Sequence, residues 1–267
     1  MDDEKLKELN VQDVDYSELV KLSLDIGEHM LMCGGEVDRV EDTISRICGA
    51  YGAKRTDVFS ITSVTFVTAT WDDGTIISQC RRVSSGNRDF NKLGALNDMS
   101  RRICRHEMPF NEAQRNVQNI IETYKRPVPL AFVGSILAAG GFAMFFGGTF
   151  RDCIAAMIAG FVIFAIETYI YNNRVNKVMY YMLASFVAGI VSIATVYIGL
   201  GQNIDKIMIG CIMLVIPGMN FTSAVEDILV GDTATGALKL CESILLACSI
   251  AGGFAFSVYL CGGLNLL

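Results

Sequence analysis

The sequence predicts a polytopic α-helical membrane protein of five transmembrane helices, preceded by a small α+β cytoplasmic domain. Three observations carry this. Residues 1–126 hold 38 of the 50 charged side chains, while residues 127–267 hold only 12. The second half contains apolar runs of about 20 residues, the length a hydrocarbon core of ~30 Å requires. Its few charges bunch in the gaps between those runs, a segregation that lipid demands and water does not. The domains expected are therefore 1–126 in water and 127–267 in the bilayer.

Each predicted element has a local cause. In the front half, 15–32 and 36–51 read as amphipathic helices separated by Gly34 and Gly35, which cap the first. Val37, Val40, Ile44 and Ile47 recur at helical spacing, leaving Asp38, Glu41, Asp42 and Arg46 for solvent. Val58–Ile61, Val64–Thr70 and Thr75–Arg82 read as strands, with Asp72, Asp73 and Gly74 forming a hairpin turn. Two helices follow at 89–105 and 109–124, the latter with Pro109 in its first turn. The Arg81-Arg82 and Arg101-Arg102 pairs read as solvated faces or as surfaces that meet anionic headgroups.

In the back half the spans expected are Pro127–Gly148, Cys153–Tyr171, Val178–Leu200, one beginning at Ile207, and one from about Leu240 to Cys261. Lys125, Arg126, Arg174, Lys177 and Lys239 fall on one side, and Arg151 and Lys206, each beside an acid, on the other. By the positive-inside rule the N-terminus is cytoplasmic and the C-terminus outside. Tyr169, Tyr171, Tyr180 and Tyr181 fit an interfacial belt on the inner face. Seventeen of the 25 glycines lie in this half, including the pairs at 140–141, 147–148 and 252–253. With Ala184, Ala188 and Ser192, and with Ala247 and Ala251, they predict close helix seams.

The fourth span is interrupted by Pro217-Gly218, about 15 Å from Ile207 and hence near the bilayer midplane. Asn220, Thr222 and Ser223 follow the break, and Glu226 and Asp227 emerge near the inner surface. Two readings stand. A broken helix at mid-membrane presents a positive half-helix end to an anionic group. A kinked packing helix instead satisfies its freed carbonyl with Ser or Thr. Glu167, the one acid inside an apolar run, reads as a residue reaching the inner headgroups or as a buried functional carboxylate.

Composition narrows the chemistry. A net charge of −6 without a basic stripe excludes nucleic acid as an expected partner. No GxGxxG, GxxxxGK[ST] or HExxH is present, so nucleotide-driven chemistry is not expected. His29 and Cys33 lie one turn apart with Glu36 behind them, but a further ligand would have to come from far away, His106 being the other histidine. No metal, cofactor or catalytic residue is predicted. The nine cysteines show no zinc spacing and read as small apolar residues rather than as disulfides. The first ten residues lack a basic and an apolar region, so no cleaved signal is expected.

CGGEVDRVEDTISRICGAYG (33–52) resembles the "GAE…RVE" segment of the threonine/serine exporter (ThrE) family. VIPGMNFTSAVEDILVGDTATGALKL (215–240) resembles that family's "PG(I/F)P…D…G" signature. The resemblance implies export of small organic acids or amino acids. Carried over by position, Glu36, Arg39 and Glu41 match the first motif, and Pro217, Gly218 and Asp227 the second. Where the family commonly has a second proline, this chain has Asn220. The resemblance also implies, for the form that occurs as a separate (YjjP-like) subunit, a smaller YjjB-like partner and a link to succinate. An end soon after the fifth span fits that form, and a hetero-oligomer in the cell (inner) membrane is expected.

The expectation is therefore a gradient-driven exporter subunit for small carboxylate-bearing solutes, not an enzyme. Pro217, Gly218, Asn220, Thr222, Ser223 and Asp227 are its candidate binding residues, and Glu36, Arg39, Glu41, Glu167 and Glu226 its candidate gating or coupling residues. The rival readings are a membrane-anchored sensor or scaffold whose cytoplasmic domain binds a ligand, and an intramembrane enzyme.

Overall fold

The structure, a computed structural model, describes residues 14–84, 86, 88–123, 128–169 and 176–262. Lys125, Arg126, Pro127, Tyr171, Arg174 and the first thirteen residues lie outside these, as does the side chain of Tyr169. The chain divides into two compact units, one of residues 1–126 with 226–236, the other of 127–225 with 237–267.

The first unit is α+β. Helix α1 (Tyr16–Met32) opens with the Asp15 carboxylate accepting the Ser17 N–H and ends at Cys33. Gly34 follows at φ +93°, a left-handed conformation that favours glycine. Helix α2 (Val37–Ala50) buries Val37, Val40, Ile44 and Ile47, the four apolar positions its periodicity marks. Strands β1 (Ala53–Ile61), β2 (Val64–Trp71) and β3 (Ile76–Arg82) form an antiparallel meander with β2 central. Gly74, at φ +83°, makes the β2–β3 turn. Helices α3 (Phe90–Cys104) and α4 (Phe110–Thr123) complete the unit.

Its core joins Leu19, Leu24 and Met30 of α1, Ile44 of α2, Val67, Ala69 and Trp71 of β2, Leu96 of α3 and Val117 of α4. The Trp71 indole N–H donates to the Tyr51 carbonyl, and its ring stacks on Tyr16 at 4.2 Å.

Two expectations are corrected here. Strand β1 starts five residues earlier than the pattern marks, because Lys54, Arg55 and Asp57 are exposed and leave no apolar alternation to read. Arg81 is not a solvated charge: it pairs with Asp25 of α1, with Glu28 nearby, so it fastens β3 to α1.

The second unit is all helix: α5 (Val128–Phe145), α6 (Phe150–Tyr169), α7 (Lys177–Tyr197), α8 (Ile204–Val215), most of α9 (Gly218–Val230) and most of α10 (Thr233–Leu260). α5, α7 and α10 are long and apolar enough to cross a membrane, and the bent pair α8–α9 qualifies as a fourth. α6 has span length, 20 residues, but carries Arg151, Asp152 and Glu167 and is not among them.

The surface of the unit is apolar where a soluble protein would be polar. Leu130, Phe145, Phe150 and Tyr259 are all at least 70% exposed. Its interior is built from small residues: Ala139 and Ala143 of α5, Ala155, Ala156 and Ala159 of α6, and Ala184, Ala188 and Ser192 of α7 are buried. Where helices gain nothing by leaving water, close packing of this kind holds them together.

Glycine pairs divide their labour. A Cβ on Gly253 would lie 2.5 Å from the Met182 carbonyl oxygen, while one on Gly252 would meet open space. Gly140 likewise faces Met157 and Cys153, and Gly141 faces nothing. Ala247 and Ala251 are exposed, contrary to the expected seam; the buried stripe of α10 is Ser243, Leu246, Ile250, Gly253 and Ser257. Two alanines four apart fix a spacing, not the rotation of a helix about its axis.

Candidate functional site

The break between α8 and α9 is where five of the six expected binding residues meet. α8 rises about 18 Å over its twelve residues. Ile216 then turns to extended backbone, φ −61° and ψ 131°, as a residue before proline must. α9 restarts at Gly218, bent by 52° from α8. Pro217 supplies no N–H, and its carbonyl accepts the Phe221 N–H at 3.0 Å, which starts the new helix. The Gly218 N–H is held by the Ile216 carbonyl at 2.9 Å.

Asn220 and Ser223 are half-buried within the first turns of α9, whereas Thr222 is exposed and donates its hydroxyl to the Gly218 carbonyl at 3.0 Å. Pro217, Gly218, Asn220, Thr222 and Ser223 thus form one helix-start cluster in the second unit. Glu226 and Asp227 belong to the first unit instead, with Glu226 exposed and Asp227 buried.

The expected coupling residues separate in the same way. Glu36 and Arg39 pair with each other at 2.9 Å on an exposed helix edge. Glu41 is not the solvent-facing acid its helical position implied. It is partly buried and accepts the Ser60 N–H, tying α2 to β1. Burial pushes its carboxyl above the ordinary glutamate value; the Ser60 bond opposes this, and the charges of Asp232 and Asp38 add to it. Glu167 lies half-buried near the end of α6.

His29 Nδ1 sits 2.8 Å from the Asp25 carbonyl and Cys33 is buried; among the described residues no group of His, Cys, Asp or Glu is placed to hold a metal ion.

Sequence reasoning missed two features that tie the helices of the second unit together. Asp152 is fully buried, and its carboxylate accepts from the Thr149 N–H and hydroxyl, the Gln202 and Asn203 N–H groups and the Asn203 side-chain amide, at 2.6–2.8 Å. It therefore clamps the start of α6 to the loop that launches α8. Thr149 three residues ahead of Asp152 is a capping-box spacing, the one signal available beforehand. Lys177 pairs with Glu242 at 2.8 Å, joining the start of α7 to the third turn of α10. Nothing local in the sequence couples positions 65 residues apart.

Long apolar helices with an apolar exposed surface, and a helix pair broken by proline with polar residues just beyond the break, define a multi-pass membrane protein. The chain belongs to the ThrE family, described as "Putative threonine/serine exporter", which matches residues 21–261. It is 25% identical over 257 residues to a "Probable threonine/serine exporter" of Mycobacterium tuberculosis (strain ATCC 25618 / H37Rv), covering 93% of this chain and 47% of that protein. It is 20% identical over 249 residues to a "Threonine/serine exporter" of Corynebacterium glutamicum, covering 91% of this chain and 51% of that one. The chain thus spans about half the length of the curated relatives it matches. No solved structure matches it.

Proposed function

We propose that this chain is one module of a secondary exporter for small carboxylate-bearing solutes, threonine and serine or succinate-like dicarboxylates. The observation that carries the reading is the 52° break at Ile216-Pro217 with Asn220, Thr222 and Ser223 in the first turns of the restarted helix. A half-helix start places partial positive charge and side-chain donors where a solute carboxylate docks, and broken helices near the midplane are the recurrent device for this in secondary transporters.

In this proposal α6 is a fifth crossing, because its charges sit near its ends and the Asp152 carboxylate is satisfied by five hydrogen bonds. The protein lies in the inner membrane with its N-terminus in the cytoplasm. An ion or proton gradient supplies the energy. The chain spans about half the length of its matched relatives, and the proposal includes a second multi-span subunit as its partner. Rocking of one bundle against the other gives alternating access.

The test is efflux of labelled threonine, serine and succinate from vesicles holding this chain with its partner. Asn220→Leu, at matched protein levels, is expected to slow efflux about tenfold if it removes one charge-assisted contact, and Thr222→Val, whose hydroxyl is already given to the Gly218 carbonyl, should slow it less. Undiminished efflux in both variants removes the helix start from the mechanism.

A further inference from the structure

The first unit carries a cleft of about 560 Å³ between α2 and α3, within the range that holds a small metabolite. It is lined by four arginines, Arg39 and Arg46 from α2, Arg101 from α3 and Arg105 just after it, with Asp42 the one acid and Cys104 beside them. Arg39 and Arg46 lie seven residues apart and Arg101 and Arg105 four apart, so each pair occupies a single helix face.

This concentration is unusual for its surroundings, since the front half holds 21 acidic against 17 basic residues. Three of the arginines have carboxylate partners: Glu36 for Arg39 at 2.9 Å, Asp42 for Arg46 at 2.7 Å and Glu107 for Arg105 at 3.5 Å. Among the described residues Arg101 has no ion pair, and it is exposed beside the cleft. Four guanidinium groups around one cleft, three of them matched by a carboxylate, leave it net positive, and an anion placed among them is attracted. Their planar forks match the paired oxygens of phosphate and carboxylate.

We propose that this cleft binds a small phosphate-bearing anion of two or more negative charges. The cleft belongs wholly to the first unit, so the proposal does not depend on the transport reading. A phosphate of this kind comes from a soluble metabolite or from a lipid headgroup, and the two sources are separable.

The test uses the full chain in nanodiscs of phosphatidylcholine, titrated calorimetrically with inorganic pyrophosphate at constant ionic strength. One saturable site per chain is expected, and occupancy should slow alkylation of Cys104 as read by peptide mass spectrometry. Arg101→Ala should weaken binding about tenfold, the effect of losing one charge-assisted contact. Arg101→Lys should recover part of it, and Arg82→Ala, on exposed β3 positions away from the cleft, should change nothing. Melting curves of the unliganded variants show whether each is folded.

Uptake that never saturates, wild-type affinity in Arg101→Ala, or equal weakening by Arg82→Ala overturns the site. In nanodiscs containing anionic phospholipid, lost pyrophosphate binding with Cys104 still protected keeps the site and assigns it to the headgroup. Unchanged binding there assigns it to the soluble anion.

Discussion

Replacing Asp152 with alanine should be the most damaging single change in the second unit. The carboxylate is fully buried and serves five donors, three of them backbone N–H groups of Thr149, Gln202 and Asn203. Alanine leaves those N–H groups facing a void. A buried donor left unmade costs about 1–3 kcal/mol, so three that partly compensate one another come to roughly 3–5 kcal/mol. At about 2–4 °C per kcal/mol, the melting temperature in detergent should fall by ~6–20 °C. Asp152→Asn keeps one acceptor oxygen but aims an NH₂ group at other donors, and should fall between alanine and wild type. Differential scanning fluorimetry of the purified variants reads this directly. An Asp152→Ala protein melting within about 2 °C of wild type would refute the clamp.

Two further outcomes are expected. Gly253→Ala should destabilise by about 1–3 kcal/mol because its methyl meets the α7 backbone, whereas Gly252→Ala, one residue earlier, should be neutral or mildly stabilising; equal melting temperatures for the two would contradict the seam. Glu41→Gln should flatten the dependence of stability on pH. The folded-state pKa of Glu41 is raised above its ordinary 4.5, so its stabilising contribution is complete below the unfolded value and is lost as pH rises through the folded one. Melting curves from pH 4 to 7 should therefore show less decline in the variant than in wild type, and parallel profiles would contradict the assignment.

What the sequence made legible was local. The apolar positions of α2, the glycine of the β2–β3 turn and the proline break at 217 each follow from nearby residues, and each stands where its chemistry places it. Long-range pairing was not legible. Asp152 finds donors fifty residues away at Gln202, and Arg81 finds Asp25 across 56 residues, neither marked by any periodicity. Helix rotation was hidden for a related reason. Apolar residues cover every side of a membrane helix, so nothing in α10 distinguished Ala247 on its open side from Ser243 on its buried one. The candidate site shows the same division: the break and its polar neighbours were readable, but the back-bonding of Thr222 to Gly218 and the assignment of Asp227 to the other unit were not.

The proposal that solute docks at the helix restart is most directly tested by thiol labelling of an Asn220→Cys protein in sealed vesicles, read at the peptide level. Because Asn220 is half-buried beside the break, a small water-borne reagent should reach it, and threonine or succinate should slow the reaction in proportion to occupancy. A thiol at 220 that no aqueous reagent reaches from either face, or that reacts at the same rate with saturating solute present, would show that this broken helix pair only packs.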